Sequence, residues 1–382
     1  MTLSRRAAVA AVRAGTAVAI ALLAAGCGTT SAATSPAALP TTVPLGTSLG
    51  GQGQPGWAAV QMGGSQATFN NFWELFARPA GSARWELATP LGVASNGGLV
   101  MSTAGAGLVA GFRPSQDLLF SPLADTASAG GSWSPAPAPV NPGLASDLDA
   151  LAAGPGGRML ALTDSGEVLA GSDGSWQPLA TVRKLAGTAA GRACGLTALT
   201  AVAFTAAGTP LLGGQCARPG TVGLFAAGPG SSWQAAGPAA AGRVTVLGLA
   251  THGGRTTALV AAVTGTTSDV IAAWSATGTS GWALSAPAST GGRAIRSVSL
   301  WASGGAGIAL AGGTGATIAG PGASWQPLAS LPARTATLAL GPDGQVQALA
   351  VNGSRLTVWQ LTGREWARLQ VIVVKIPYGS SD

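Results

Sequence analysis

The sequence predicts an all-β fold, a seven-bladed β-propeller, from three observations. A tryptophan returns behind a Gly/Ser-rich turn every 41 to 57 residues, a spacing typical of propeller and solenoid repeats. Short runs rich in Val, Leu and Thr, separated by Gly turns, lie between these tryptophans. No helical period is sustained beyond the N-terminal leader. The seven marker tryptophans are Trp85, Trp133, Trp176, Trp233, Trp282, Trp325 and Trp366.

Each repeat is predicted to contain four antiparallel strands, the number found in a propeller blade. The third repeat predicts strands over 148–153, 158–163, 167–171 and 175–179. The seventh repeat predicts strands over 335–340, 345–351 and 355–361, followed by the marker Trp366. The marker tryptophans are then expected to pack in the core as wedges between neighbouring blades.

Closure of the ring is predicted from the two ends of the repeat region. The first repeat shows only three strand-like runs, over 57–62, 70–76 and 82–87. The run 370–376, Gln-Val-Ile-Val-Val-Lys-Ile, is strongly strand-like, yet no repeat follows it. We therefore expect the C-terminal strand to become the innermost strand of the first blade, since this pairing removes two exposed edges.

The turn before the third marker, Ser172-Asp173-Gly174-Ser175-Trp176, resembles a shortened Asp-box of the sialidase-type propellers. Two other turns, Gly228 to Trp233 and Gly320 to Trp325, keep the turn and the Trp without the Asp. The resemblance implies a propeller over 56–382 and, as an alternative function, a sialidase-like glycoside hydrolase acting on envelope or host glycans.

Hydrolysis of a glycoside needs carboxylates near the scissile bond, and sialidases add a Tyr nucleophile. The one tyrosine, Tyr378, follows the last predicted strand, and Phe112-Arg113-Pro114 only partly matches the Phe-Arg-Ile-Pro motif of that family. Asp147 and Asp149 form the best carboxylate pair, but their spacing also suits a capping role. We therefore expect no enzyme and no catalytic residue.

The N-terminus is predicted to be a lipoprotein signal peptide over 1–26. Arg5, Arg6 and Arg13 precede a 13-residue apolar stretch, which is too short to span a bilayer. The stretch ends in Ala24-Ala25-Gly26-Cys27, which resembles the bacterial lipobox and implies a diacylglycerol on Cys27 and an extracytoplasmic, lipid-anchored location at the cell membrane. The alternative is an ordinary signal peptide cut near Ala25, and both general and twin-arginine export remain open.

Residues 27–55 are predicted to form a flexible stalk, and 56–382 the propeller. The stalk is rich in Gly, Ser, Thr, Ala and Pro and has almost no bulky apolar side chains. Cys194 and Cys216, the other two cysteines, lie 22 positions apart. An exported chain enters an oxidising compartment, where disulfides form and persist. We predict a disulfide between the two cysteines, because a zinc site would need more ligands than these and the distant His252.

The mature chain is predicted to carry a basic rim on one face. Without the leader it has 20 − 3 = 17 basic and 13 acidic residues, a net charge of about +4. The links from the fourth strand of one blade to the first strand of the next contain Arg183, Lys184, Arg192, Arg243, Arg293, Arg296 and Arg334. Such a rim could attract an envelope protein, an anionic glycan or lipid headgroups; the alternative is scattered solvated side chains.

These observations predict a non-catalytic binding or scaffold module. No aromatic residues alternate with the arginines, so nucleic acid is not the expected partner. His252 lies in a hairpin turn without a nucleophile motif, and no phosphate-binding or calcium-binding loop is present. We therefore expect no cofactor, no metal and a monomer.

Overall fold

The computed structural model describes residues 46–63, 71–90, 98–113, 123–135, 148–172, 175–328 and 330–375. Over these residues the chain is almost entirely β-structure, with two short helices. The leader, Cys27 and the stalk up to residue 45 lie outside the described residues, as do Asp147 and Tyr378. No helix among the described residues is both long enough and apolar enough to cross a membrane.

The strands form repeat units of four consecutive antiparallel strands, which we call the first to seventh units. The first unit comprises β1 Gly46–Gly50, β2 Gly56–Gly63, β3 Asn71–Arg78 and β4 Glu86–Leu87. The second comprises β5 Gly98–Ala104, β6 Gly107–Arg113, β7 Leu123–Thr126 and β8 Ser134–Pro135. The third comprises β9 Leu148–Ala153, β10 Met159–Thr163, β11 Glu167–Ser172 and β12 Ser175–Thr181. Each unit follows the predicted pattern of apolar runs divided by Gly turns.

The fourth and fifth units share one continuous sheet. The fourth unit comprises β13 Leu196–Phe204, β14 Pro210–Cys216, β16 Leu224–Ala227 and β17 Trp233–Ala235. The fifth comprises β19 Arg243–His252, β20 Arg255–Thr264, β21 Thr267–Ser275 and β22 Ala283–Leu284. β14 and β19 pair at Gln215 and Cys216, which joins the two units. Three two-residue strands complete this region, β15 Gly220–Thr221 and β18 Ala239–Ala240, which pair with each other, and β23 Ala288–Ser289, which pairs with β21.

The sixth unit joins the first unit directly. The sixth unit comprises β24 Ile295–Leu300, β25 Ala306–Leu310, β26 Thr314–Ile318 and β27 Gln326–Leu328. The seventh comprises β28 Thr335–Leu340, β29 Val346–Asn352, β30 Arg355–Thr362 and β31 Glu365–Val373. β1 pairs in parallel with β24, with Gly46 opposite Ser297 and Ser48 opposite Ser299. These small residues allow the two strands to approach each other. The seventh unit packs against this junction, where the Leu338 carbonyl accepts hydrogen bonds from Ser48 and Ser299.

The fold is therefore all-β and of the propeller kind, as predicted, whereas a ring of seven separate blades stays a prediction. One central cavity, described below, is lined by the first strands of the first five units and by the turn that follows β24 in the sixth. The first strand of the seventh unit lies beside β1 and β24. Sheet pairing merges the first unit with the sixth and the fourth with the fifth.

The predicted closure by the C-terminal strand is wrong. β31 is the outer strand of its own unit and pairs with β30. The missing strand of the first unit is instead β1, which pairs with β2 over its whole length and lies within the range assigned to the stalk. Its sequence, Gly-Thr-Ser-Leu-Gly, has the composition of a linker. Its strand conformation comes from pairing with β2 and β24, in a slot that is narrow at Gly46, where a Cβ would lie 2.9 Å from the Ala336 carbonyl oxygen.

The first and seventh units are held together by side chains. Arg78 is fully buried, and its guanidinium donates to the carbonyl oxygens of Gly51 and Leu340. The indole of Trp85 donates to Gln347, and the Gln370 amide accepts from and donates to the main chain of Trp85. Closure therefore depends on these polar contacts as well as on apolar packing.

Three marker tryptophans show how consecutive units are connected. Trp85 in the first unit, Trp282 in the fifth and Trp325 in the sixth each donate the indole N–H to the preceding unit, to Gln347, the Ala236 carbonyl and Ser285 respectively. Trp85, Trp176 and Trp233 are buried, whereas Trp133, Trp282, Trp325 and Trp366 are half-buried. The wedge position is thus observed directly for these three.

Two short helices, which the sequence did not predict, connect the third and fourth units. They are α1 Val182–Ala186 and α2 Ala189–Cys194, and the hydroxyls of Thr181 and Thr188 cap their N-termini. α2 ends at Cys194, which is bonded to Cys216 at the end of β14 with 5.1 Å between the Cα atoms. The two cysteines are bridged, and the bridge fixes this connection to the sheet.

Candidate functional site

A cavity of about 1030 Å³ lies where the hairpin turns between first and second strands meet. Its lining residues come from six units. They are Gly50, Gln52, Gln54, Pro55, Trp57, Thr103, Ala104, Gly105, Ala106, Val109, Ala153, Gly154, Pro155, Gly157, Arg158, Met159, Phe204, Thr205, Ala206, Thr251, His252, Gly253, Gly254, Ala302 and Ser303. A second, narrower space continues between the first strands themselves, beside Leu49, Met101, Leu151, Val202 and Leu249. The cavity is thus the mouth of the central channel.

The turn from β9 to β10 gives the cavity its most distinctive wall. Gly154 lies over the ring of Phe204 in the next unit, and a Cβ at this position would lie 2.4 Å from that ring. Only glycine allows this approach. Pro155 to Gly157 then form a single 3₁₀ turn, in which Gly156 has φ of +69°. The turn ends at Arg158, whose position it determines.

Arg158 is an exposed cation held in place by its neighbours. Its guanidinium lies 5.0 Å from the centroid of the Phe204 ring, and Nη1 donates to the Gly208 carbonyl at 2.8 Å. The stacking and the hydrogen bond both limit the rotamers of a long side chain. The remaining guanidinium N–H groups are available for hydrogen bonding, because Arg has five donors.

His252 lines the cavity at the end of β19, opposite Arg255 in the β19–β20 ladder. Burial lowers the pKa of His252 below its ordinary value of 6.5. The imidazole is therefore neutral at pH 7 and can act there as one donor and one acceptor.

The rest of the lining is uncharged among the described residues. Gln52 and Gln54 are exposed in the β1–β2 turn, and Ser303 is exposed beside β25. Trp57 and Phe204 are almost completely buried, with 1% and 4% of their surfaces exposed. Among the lining residues that the structure describes, none is Asp or Glu. The described lining residues can therefore donate hydrogen bonds and offer positive charge to a ligand.

The residues of the predicted basic rim lie at the opposite ends of the first strands. Arg183 and Lys184 are in α1, Arg192 is in α2, and Arg243 begins β19. Arg293 precedes β24, Arg296 lies within it, and Arg334 precedes β28. All are exposed except Arg243, which is half-buried. Their role in ligand binding stays a prediction, but the cavity and these residues clearly occupy different faces.

The residues considered for hydrolysis are not brought together by the described structure. Asp149 is exposed near the start of β9, away from the cavity turn. Phe112 is buried in β6, and its neighbour Arg113 ends that strand. Asp147 and Tyr378 lie outside the described residues. Over the described ranges, no group of three or more His, Cys, Asp or Glu residues could hold a metal ion.

Sequence reasoning missed the cavity residues. Arg158, Gln52 and Gln54 lie in or beside Gly/Pro-rich turns, where an isolated polar residue resembles ordinary turn chemistry. Their position in the repeat could have identified them, because the turn between the first two strands of each repeat lies at the same end of the channel. The sequence places His252 in a hairpin turn, and the structure shows that this turn lines the cavity.

Neither a known protein family nor a curated protein sequence matches this chain. It is similar to the solved structure of YCF48 bound to D1 peptide, with 16% identity, 81% of this chain and 90% of that chain covered, and a TM-score of 0.45. It is also similar to YCF48 from Cyanidioschyzon merolae, with 13% identity, 82% of this chain and 94% of that chain covered, and a TM-score of 0.47. A third similar structure is the fucose-specific lectin from Aleuria aurantia, with 14% identity, 74% of this chain and 96% of that chain covered, and a TM-score of 0.39. All three TM-scores lie below 0.5, so the ligands of those proteins are not transferred to this chain.

Proposed function

We propose that this protein is a non-catalytic binding module that takes its ligand, a partner protein or a glycan of the cell envelope, in the central cavity. The observation that carries this proposal is the convergence of turns from six units on one cavity, where none of the described lining residues is Asp or Glu. Concave sites with a few fixed polar groups are the usual form of a ligand site.

Filling the cavity tests this proposal. Ala206 is exposed in the β13–β14 turn and lines the cavity, so Ala206→Trp should block entry without disturbing the core. Ala241 is exposed just before β19, at the other end of the first strands, and Ala241→Trp is the matched control. The mature protein should capture a partner from an extract of its own envelope, and only Ala206→Trp should abolish this capture.

Two results would contradict the proposal. Capture that survives Ala206→Trp unchanged would place the binding surface elsewhere. Turnover of fluorogenic glycosides, lost on Ala206→Trp, would replace the binding module by a glycoside hydrolase.

We also propose that the module is exported and held at the outer face of a bacterial membrane by a lipid on Cys27. The short apolar leader that ends in Ala-Ala-Gly-Cys supports this location. Cys27→Ala should release the protein into the medium or leave an uncleaved precursor, measured by fractionation and intact mass. A Cys27→Ala variant that is still processed and membrane-bound would exclude the lipid anchor.

A further inference from the structure

We infer that the cavity binds a segment of polypeptide through a carboxylate group, with Arg158 as the anchoring residue. The inference rests on the proposed binding function of the cavity and specifies the chemistry of its ligand. The carboxylate is that of an acidic side chain in the bound segment.

The first argument is that the Arg158 guanidinium is preorganised to bind an anion. Its guanidinium is held over Phe204 and by the Gly208 carbonyl, so little rotamer freedom remains to be lost on binding. The side chain is exposed at the cavity wall. A planar guanidinium with two parallel N–H groups matches a carboxylate in shape as well as in charge.

The second argument is the sign of the charge around it. Among the described lining residues, Arg158 and His252 are the ionisable groups, and neither is acidic. An anion therefore meets no repulsion from the lining residues that the structure describes. In a partly enclosed cavity the attraction is less screened than on an open surface.

The third argument favours a peptide over an acidic sugar. The exposed Gln52 and Gln54 amides and the Gly-rich turns offer donors and acceptors that suit a peptide main chain. Trp57 and Phe204 are the lining rings of a size to stack on a sugar, and both are almost completely buried. The Phe204 face is in addition occupied by Arg158.

The test measures the binding of labelled peptides to the mature protein by fluorescence anisotropy. The probes are a C-terminally amidated decapeptide of alternating Gly and Glu, its amidated counterpart of alternating Gly and Gln, and a short oligogalacturonate. The Glu peptide should bind more tightly than the other two. Arg158→Gln should weaken this binding by about tenfold or more, because it removes a charge-assisted pair. Arg293→Gln removes an exposed cation at the opposite ends of the first strands, and should change the binding by less than about twofold.

Arg158→Lys provides a second measurement that keeps the charge but removes the fork, so it should give an intermediate affinity. Thermal melts should show all three variants folded. Equal binding of the Gln peptide, or no effect of Arg158→Gln in a folded protein, would overturn the carboxylate inference. Tighter, Arg158-dependent binding of oligogalacturonate would overturn the peptide assignment.

The two proposals fail in distinguishable ways. If Ala206→Trp blocks envelope capture while the Glu peptide does not bind, the cavity is a binding site but its ligand is not a carboxylate peptide. If Ala206→Trp leaves capture unchanged, the proposed function itself fails.

Discussion

Arg78 shows how one buried cation can organise two distant parts of the chain. It lies in β3, and its guanidinium donates to the carbonyls of Gly51 and Ser82 in its own unit and of Leu340 in the seventh. It also lies 5.8 Å from the centroid of the Trp85 ring. Burial lowers the pKa of Arg78, and the charge of Asp343 partly offsets this effect. The interactions must therefore compensate for the desolvation of the charge.

We expect Arg78→Met to lower the free energy of unfolding by about 2 kcal/mol, because several carbonyl groups lose their donor. Arg84→Met removes an exposed arginine of the same unit and should have almost no effect. Urea unfolding of the two variants and the wild type measures the difference. Equal stability of Arg78→Met and wild type would show that Arg78 does not hold the two units together.

Glu74, on the same strand, gives a prediction about pH. Burial raises the pKa of Glu74 above its ordinary 4.5, while the hydrogen bond from Thr89 opposes this shift. The folded protein therefore holds this proton more tightly than the unfolded chain. The contribution of Glu74 to stability is greatest below pH 4.5 and is lost as the pH rises through its raised pKa.

Glu74→Gln should therefore be more stable than the wild type at pH 7, and the two should converge as the pH is lowered. Unfolding curves from pH 4 to 7 measure this difference. Glu167→Gln, at a half-exposed site in β11, is the matched control and should leave the free energy of unfolding at pH 7 within about 0.5 kcal/mol of the wild type. A Glu74→Gln variant that is less stable at pH 7 would show that the ionised carboxylate is favourably bound.

At the scale of elements, β1 determines how the first unit is completed. Gly50, at its end, has φ of +88°, and a Cβ there would lie 1.9 Å from the Pro55 carbonyl oxygen. Gly53, in the following turn, also has positive φ, but a Cβ there meets no atom within 4 Å. The two glycines thus separate the effect of backbone conformation from that of packing.

Gly53→Ala should cost roughly 1 kcal/mol of unfolding free energy, from backbone strain alone. Gly50→Ala should cost about 2 kcal/mol more, because it also forces the β1–β2 turn apart. Thermal and urea unfolding measure both. Equal effects of the two substitutions would show that β1 does not occupy the innermost position of the first unit.

The same element shows what could be predicted from sequence and why the rest could not. The repeats, the strands of the third and seventh units and the Cys194–Cys216 bridge follow from local pattern and spacing, which act over at most the 57 residues between Trp176 and Trp233. β1 does not, because Leu49 is its one bulky side chain and the slot that orders it is built by β24, about 250 positions later. The cavity was missed for the same reason: six turns become one site only after the strands are assembled.

At the scale of the whole molecule, the two ends of the first strands carry different chemistry. β1 enters at Gly46, beside Ser297, and ends at the cavity, where the Gly50 carbonyl accepts from the Ala302 N–H. The chain that precedes Gly46 therefore joins the unit at the face of the predicted basic rim. If Cys27 carries a lipid, we expect that face to lie toward the membrane and the cavity to open away from it. Anionic headgroups would then meet the rim.

This orientation is tested with the mature protein carrying Cys27→Ser, produced without its leader, and vesicles containing an anionic phospholipid. Binding measured by co-sedimentation should be detectable at low salt and decrease as salt is added. Replacing Arg183, Lys184 and Arg192 together by Gln should weaken it by about 3 kcal/mol, or roughly a hundredfold, since each basic residue near an anionic surface contributes about 1 kcal/mol. Arg158→Gln at the cavity should leave vesicle binding unchanged, because a cation on the far face lies beyond the reach of the surface potential. If Arg158→Gln weakens vesicle binding as much as the triple variant does, the cavity face meets the membrane, and a ligand could not enter the cavity from outside the cell.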